Sequence, residues 1–256
     1  MLKAKNVNII FSSLLIISIL LVVLMDLNFW ATTILIGLWL IITTIGSFNI
    51  GLNYHLNSLN NNPNTRKNQV AITFDDSPNA NITPKILALL EKHNAKATFF
   101  CVGKHLETHV EIAQNIVNHG HTIGNHTYSH SPFFGFFNTQ KVVIELQRTN
   151  GIISDCIQKT PILYRPVYGV TNPSIKKAVK QLNMISVGWN VRSLDTVLSI
   201  DHVMKRIQKT KQGDIILLHD HSEKNLIVLE QFLQFLSEQN LTSVTVDELL
   251  NIKAYE

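Results

Sequence analysis

The chain has 256 residues, of which 45% are hydrophobic and only 16% are charged, and its formal net charge is +4. This composition excludes a disordered protein, and so small a surplus of positive charge is too diffuse to indicate a nucleic-acid-binding surface. Two cysteines are too few for a disulfide framework or for a zinc site made of thiolates alone.

The first elements along the chain are two long apolar stretches. Between Lys5 and Arg66 the only Asp, Glu, Lys or Arg is Asp26, which separates residues 8–25 from residues 27–48. Because about 20 apolar residues span a hydrocarbon core of ~30 Å, we predict two transmembrane helices, at about 8–25 and 27–48, within a membrane anchor over residues 1–56. The alternative is a signal peptide followed by a buried helix, but a convincing small-x-small cleavage site is missing.

The orientation of this anchor stays open. Lys3 and Lys5 favour a cytoplasmic N-terminus, and a helical hairpin would then return the rest of the chain to the cytoplasm. Residues 57–68 contain Pro63 and many asparagines and show no apolar periodicity, so we predict a linker there.

From Gln69 onward, short β-rich runs alternate with amphipathic helical windows, a pattern typical of parallel strands with crossover helices. Seven strands are predicted, at Val70–Phe74, Ala97–Val102, His121–Gly124, Ile162–Arg165, Met184–Trp189, Ile215–His219 and Ser243–Val246. An eight-unit barrel typically needs about 250 residues. We therefore predict an α/β domain over residues 69–256, a barrel with one unit missing; an open doubly wound sheet is the competing topology, without a glycine-rich phosphate fingerprint to favour it.

Chemically capable side chains follow several of these strands. Asp75 and Asp76 end the first, and His126 and His130 come after the third. A helical turn would put two imidazoles at this spacing on one face, where a carboxylate could complete a metal site. Adjacent carboxylates can divide labour between metal binding and general base catalysis.

Two further strands end in such residues. Arg165 begins an Arg-Pro-Val-Tyr-Gly turn, where it could clamp a carboxylate and where a backbone N–H could donate to an oxyanion. His219 ends the buried run Ile215–His219 and suits general acid catalysis.

Five segments taken in order, TFDDSP, HTYSH, RPVYG, WNVRSLD and ILLHD, resemble the motifs of the polysaccharide deacetylases that share the NodB homology domain, carbohydrate esterase family 4. The resemblance implies a distorted (β/α)7 barrel. It also implies that Asp75 is the catalytic base, that His219 is the general acid, and that one divalent metal, zinc before cobalt, manganese or nickel, is held by Asp76, His126 and His130.

The resemblance implies supporting roles as well. Arg165 would orient Asp75, the backbone N–H of Tyr168 would help to stabilise an oxyanion, and Trp189 and Leu217 would line a pocket for the acetyl methyl group. The fourth motif departs from the family, because Arg192 stands where an aspartate is common. Either Asp195 takes over the orienting role or His219 is tuned differently.

We therefore expect a metal-dependent hydrolase that removes N-acetyl groups from GlcNAc-containing glycans, such as peptidoglycan, an exopolysaccharide or a chitin-like oligomer. Its partners would be the glycan and the lipid bilayer, with no nucleic acid and no obligate protein partner. Since such polymers lie mostly outside the cytoplasmic membrane, we expect an extracytoplasmic catalytic domain on an integral membrane protein. The alternative is a cytoplasmic enzyme that acts on lipid-linked or nucleotide-linked precursors. A catalytically inactive glycan-binding protein of the same fold and a metal-dependent phosphoesterase are the alternatives.

Overall fold

The chain begins with two long apolar helices. The structure, a computed structural model, describes residues 3–26 and 28–256. Helix α1 spans Ala4–Met25 and α2 spans Trp30–Phe48, and both are long and apolar enough to cross a membrane. The helices overlap the two predicted spans, but α1 begins earlier, at Ala4, and α2 begins later, at Trp30. Leu27, the first residue expected in the second span, lies outside the described residues.

The two helices pack side by side as a hairpin. The hydroxyl oxygens of Ser18 and Thr32 lie 2.7 Å apart, and the indole N–H of Trp39 donates to the side-chain oxygen of Asn8 over 3.0 Å. Polar groups on apolar helices commonly pair in this way, because lipid offers them no other partner. Most of the large apolar side chains of both helices remain exposed to the surroundings.

Parallel strands form the wall of the following domain, and every pairing between them is parallel. The strands are β1 Gln69–Ser77, β2 Ala97–Cys101, β3 Thr122–Asn125, β4 Leu163–Tyr164, β5 Ile185–Ser186, β6 Val191–Arg192, β7 Ile215–His219 and β8 Thr242–Ser243. The order of the main sheet is β5-β4-β3-β2-β1-β7-β6, and β8 pairs with the beginning of β1.

The segment from β5 to β6 closes this wall. Where one continuous strand was predicted at Met184–Trp189, the chain forms two short strands, β5 hydrogen-bonding to β4 and β6 to β7. Eight consecutive residues, 185–192, therefore connect the two ends of the sheet. When β5 and β6 are counted as one strand, the eight strands form seven units, which confirms the predicted distorted (β/α)7 barrel.

Helices cover the outside of the barrel. They are α3 Thr83–Lys92, α4 Gly103–Leu106, α5 Val110–Asn118, α6 Thr139–Ile157, α7 Pro173–Gln181, α8 Ile200–Ile207, α9 Glu223–Glu238 and α10 Val246–Leu250. Asn138 caps α6 and Asn172 caps α7 with their side-chain oxygens. Val246, predicted to end the last strand, instead begins α10, because the Thr245 side chain caps a helix there.

Alternation along the strands divides the core into two layers. On β1, Ile72 and Phe74 belong to the cluster between strands and outer helices, whereas Ala71 belongs to a second cluster with Leu163 and Leu217. Successive strand residues point to opposite faces. Asp75 therefore shares the inner face of the barrel with Ala71.

Residues 57–68, predicted as a linker, lie against the barrel. The Leu59 N–H donates to the Ser186 carbonyl, and the Gly188 N–H donates to the Leu59 carbonyl, each over 2.9 Å. Further on, the Asn62 N–H donates to the Gly213 carbonyl. Main-chain bonds of this kind need no apolar side chains, which is why no periodicity marked the segment.

Candidate active site

Both carboxylates at the end of β1 face one site because the strand is irregular there. Pairing with β2 shifts register between Phe74 and Ser77, and Asp76 has a φ of 68°. In a regular strand two consecutive side chains would lie on opposite faces, so the bulge at Asp76 turns its carboxylate toward the same end of the barrel as that of Asp75. On the other side of β1, Asp75 pairs directly with His219 of β7.

Arg165 is completely buried beside Asp75. Its guanidinium donates to the Asp75 carboxylate over 2.9 Å and to the Thr73 hydroxyl over 2.6 Å. Two other N–H groups donate to the carbonyl oxygens of Val187 and Gly188. The arginine therefore joins β1 to the closing segment, instead of making the bidentate clamp that its residue type allowed.

His126 and His130 converge from a loop, which corrects the expected helical turn. The Thr127 N–H donates to the Asn125 side chain over 2.8 Å, and Glu145 accepts from the N–H groups of Tyr128 and Ser129. These side chains satisfy the backbone donors that a helix would have used. Thr127 and His130 have positive φ values of 67° and 47°, and the two imidazole rings end 5.0 Å apart.

Asp76, His126 and His130 each offer a ligand atom, and these atoms lie within 4.8 Å of one another. Asp76 Oδ1 is 3.5 Å from His126 Nε2 and 3.1 Å from His130 Nε2. Tetrahedral ligands at about 2.0–2.1 Å from a zinc ion are separated by about 3.3 Å. The spacing therefore fits a divalent cation.

The orientation of the His126 ring supports the same fit. Its Nδ1 lies 2.9 Å from the Arg165 carbonyl, which can only accept, so Nδ1 carries the hydrogen and Nε2 is the atom that faces Asp76. Burial disfavours a charged ring, but the carboxylates of Asp75 and Asp76 outweigh it and raise the pKa of His126, so a metal bound at Nε2 would replace a proton there. Among the described residues, Asp76 Oδ1 is buried and has no hydrogen-bond donor. A ring nitrogen and an unpartnered carboxylate oxygen that face one another at 3.5 Å leave a place for a cation between them.

Burial and the nearby His126 lower the pKa of His130 to about 4, so its ring is neutral near pH 7 and its lone pair is available. Burial alone would raise the pKa of Asp76. The hydrogen bond that His221 donates to Asp76 Oδ2 counters this effect, and the pKa of Asp76 lies well below its usual range. Asp76 and His130 are thus in the protonation states that a metal requires.

His219 is held by Asp195 on the opposite side of the site. Its Nδ1 lies 2.8 Å from Asp195 Oδ1, and its backbone N–H donates to Asp195 Oδ2 over 2.8 Å. Burial disfavours the charged imidazole, but the hydrogen bond and the charge of Asp195 outweigh it and raise the pKa of His219. Of the two alternatives for the fourth motif, the orienting carboxylate is that of Asp195, while Arg192 is exposed.

The remaining predicted residues surround this group. Tyr168 has a φ of 56°, a strained value often found at functional sites, and its ring meets that of His130 edge to face at 5.0 Å. Trp189 lies 5.4 Å from the Arg165 guanidinium. Leu217 is buried and pairs with Thr73 across the strands.

Sequence reasoning missed His221. Its Nε2 lies 3.1 Å from Asp76 Oδ2, and its ring stacks on that of His219 with centroids 5.3 Å apart. The only signal was its position two residues after His219. It also missed Ser193 and Asn225, whose side chains donate to Asp195.

A carboxylate anchored by a buried arginine and an imidazole anchored by a carboxylate face one another across β1 and β7. The carboxylate is placed as a proton acceptor and the imidazole as a proton donor. This arrangement is typical of a hydrolase whose active site lies at the end of a barrel of parallel strands.

Comparison with known proteins narrows this class. The family model described as polysaccharide deacetylase matches residues 62–187. A peptidoglycan-N-acetylglucosamine deacetylase of Bacillus cereus is 34% identical over 190 residues, covering 72% of this chain and 68% of that protein. The chain belongs to the polysaccharide deacetylase family with the NodB domain, which confirms the resemblance, and it is a glycan deacetylase that acts on amide bonds.

Solved structures share the fold. The crystal structure of the Bc1960 peptidoglycan N-acetylglucosamine deacetylase has a TM-score of 0.72 and 31% identity, covering 78% of this chain and 95% of that chain. BA3943 of Bacillus anthracis, described as a pseudoenzyme of the same carbohydrate esterase family, has a TM-score of 0.69 and 26% identity, covering 76% of this chain and 69% of that chain. The same barrel thus occurs in an enzyme and in a pseudoenzyme.

Proposed function

We propose that this protein is a metal-dependent deacetylase that removes N-acetyl groups from GlcNAc-containing glycans. The observation that carries the proposal is the cluster of Asp76, His126 and His130 between the anchored base Asp75 and the anchored acid His219. A divalent cation held by these three residues would act as a Lewis acid on the acetamide carbonyl and on the attacking water. Zinc suits a set of two imidazoles and one carboxylate.

The side chains of the site supply the proton transfers. Asp75, fixed by Arg165, accepts a proton from the attacking water. The backbone N–H of Tyr168 donates to the oxyanion that develops on the acetamide. Asp195 accepts the Nδ1 hydrogen of His219 and raises the pKa of the ring, which favours the cationic form with a second hydrogen on Nε2. That Nε2 hydrogen passes to the leaving amine, and the products are acetate and a free amino sugar.

Trp189 and Leu217 are proposed to receive the acetyl methyl group. Both are buried near Arg165 and Thr73, on the inner face of the barrel. An apolar pocket of this kind favours an acetyl group over a charged substituent, because a charge would lose its hydration there.

Peptidoglycan is the substrate that we propose first. Relatives at 34% and 31% identity are named peptidoglycan-N-acetylglucosamine deacetylases. We further propose that residues 1–56 anchor the domain in the cytoplasmic membrane through α1 and α2, with the catalytic domain outside, where peptidoglycan is found. A reporter active in only one compartment, fused after Glu256, tests this orientation; a signal from the cytoplasm alone would contradict it.

The inactive glycan-binding alternative is favoured by one observation, the pseudoenzyme among the structural relatives. Both ideas are tested on the purified full-length chain by elemental analysis together with acetate release from a chitooligosaccharide and from peptidoglycan fragments. We expect one divalent metal per chain, acetate release, loss of both after chelation and recovery after zinc is added. Bound metal without acetate release from either substrate would favour the glycan-binding alternative.

A further inference from the structure

The loop after the HTYSH motif displays two phenylalanines that nothing in the catalytic proposal uses. Phe133 is 68% exposed and Phe136 is 88% exposed, while Phe134 between them is buried. The rings of Phe134 and Phe137 pack 5.5 Å apart, and both join the cluster between β4 and α7. The buried pair fixes the loop, so Phe133 and Phe136 are held outward.

This loop lies beside the end of α2. The side-chain amide of Asn172 donates to the Gly135 carbonyl over 2.7 Å, and the neighbouring Thr171 N–H donates to the Ser47 carbonyl over 2.9 Å. Ser47 is in the last turn of α2. Gly135 is connected to Ser47 by these two hydrogen bonds and by the neighbouring residues Thr171 and Asn172, so the two lie within about 15 Å of one another.

The junction between α2 and the barrel is packed. The ring of Tyr54 lies against Gly46 and leaves no room for a Cβ atom there. Ile50 is buried in the same cluster as Trp189, and the Ser47 hydroxyl lies 3.0 Å from the His55 ring. The aromatic loop therefore keeps its place relative to the end of α2.

Basic side chains accompany this region. The ammonium group of Lys141 stands 3.7 Å from the centre of the Phe137 ring, and that of Lys3 is 3.3 Å from the Asn57 side chain. Burial and the charge of Lys176 lower the pKa of His55, so Lys176 is close to the same junction. Exposed aromatic rings next to lysines are typical of protein surfaces that bind an anionic membrane.

We propose that Phe133 and Phe136 insert into the interface of the bilayer that α1 and α2 cross, with the nearby lysines facing anionic headgroups. The mouth of the active site is then held at the membrane surface, since His130 is three residues before Phe133. The inference rests on the membrane anchorage proposed above, and it adds a second contact between the catalytic domain and the lipid.

The test uses the full-length chain in nanodiscs that contain anionic phospholipid. Cys101 and Cys156 are both buried, so a bimane fluorophore can be attached at an introduced cysteine. Three variants are compared: Phe136→Cys, Ile41→Cys in the exposed middle of α2, and Ser237→Cys at the end of α9, next to the opposite end of the barrel. Lipids that carry a nitroxide in the headgroup or the upper acyl chain serve as quenchers.

We expect loss of fluorescence at positions 41 and 136, and none at position 237. Quenching at 41 without quenching at 136 would overturn this inference and leave the anchorage intact, whereas no quenching at 41 would overturn both. A probe at 136 that responds to added chitooligosaccharide, but not to the nitroxide lipids, would show a glycan-binding loop and likewise overturn the inference.

Discussion

Replacing Asp195 by asparagine should disable the proposed acid without emptying the metal site. Asp195 accepts four hydrogen bonds: Oδ1 from His219 Nδ1 and the Ser193 hydroxyl, Oδ2 from the His219 backbone N–H and the Asn225 amide. The backbone N–H cannot turn round, so the amide oxygen of the new asparagine must stay on the Oδ2 side. Its NH2 group then faces His219 Nδ1.

This reversal changes what His219 can donate. With Nδ1 accepting, the neutral ring carries its hydrogen on Nε2, and the cationic ring loses its carboxylate partner. A hydrogen bond to a charged group is worth about 1.5–3 kcal/mol, so the pKa of His219 should fall when that bond is lost. The same Asp-to-Asn change in the serine protease triad costs about 10⁴ in kcat, and we expect a loss of about 10² to 10⁴ here.

The assay is acetate release from a chitooligosaccharide as a function of pH, with metal content measured on the same samples. The proposed acid acts in its protonated form, and Asp195 raises its pKa, so the alkaline limb of kcat/KM should move to lower pH in Asp195→Asn. Ser193→Ala is the matched control, because it removes one bond to Asp195 and keeps the contact with His219. An Asp195→Asn protein with an unchanged alkaline limb and kcat would refute the reasoning.

Three other changes test the base, the metal ligands and the linkage of stability to pH. Asp75→Asn should lower kcat by about 10² or more and keep the metal. The same change leaves the buried Arg165 charge without its partner, which should cost about 3–5 kcal/mol of unfolding free energy. Loss of metal from the folded variant would contradict the assignment of Asp75 as the base. His126→Ala or His130→Ala should abolish both metal binding, measured by elemental analysis, and acetate release, measured by activity assay. A variant that keeps its metal would count against the replaced residue as a ligand. Burial lowers the pKa of His121 to about 4, whereas the unfolded chain takes up this proton near pH 6.5, so the stability of the folded state falls as the pH drops below about 6.5. Between about pH 7 and pH 5 the unfolding free energy should fall by about 2 kcal/mol, as measured by chemical denaturation. We expect this loss to be absent in His121→Gln. An equal pH dependence in that variant would show that other groups are responsible.

The ends of the strands could be predicted because two simple rules coincide there. β-rich runs alternate with amphipathic helices, and parallel strands bring their carboxyl ends to the same edge. Asp75, Arg165 and His219 follow such runs, and the structure brings the three side chains to one end of the barrel. The family resemblance then supplied a role for each of them, which their spacing alone could not.

The path of the chain between strands could not be predicted, because distant side chains decide it. The His126–His130 segment is a loop, and one reason is Glu145, which accepts from two of its backbone N–H groups from a position in α6. Likewise, residues 57–68 lie on the barrel through main-chain bonds to Ser186, Gly188 and Gly213. Neither contact leaves a periodic pattern in the local sequence.

The fourth motif shows what a catalytic site requires of its sequence. An oriented imidazole needs a carboxylate oxygen close to its Nδ1, wherever along the chain that carboxylate comes from. Arg192 ends β6, and Leu194 then adopts a φ of 60°, a turn that delivers Asp195 to His219. Because the buried Asp195 also accepts from Ser193 and Asn225, its position is fixed from three sides, and a departure in the motif need not alter the tuning of the histidine.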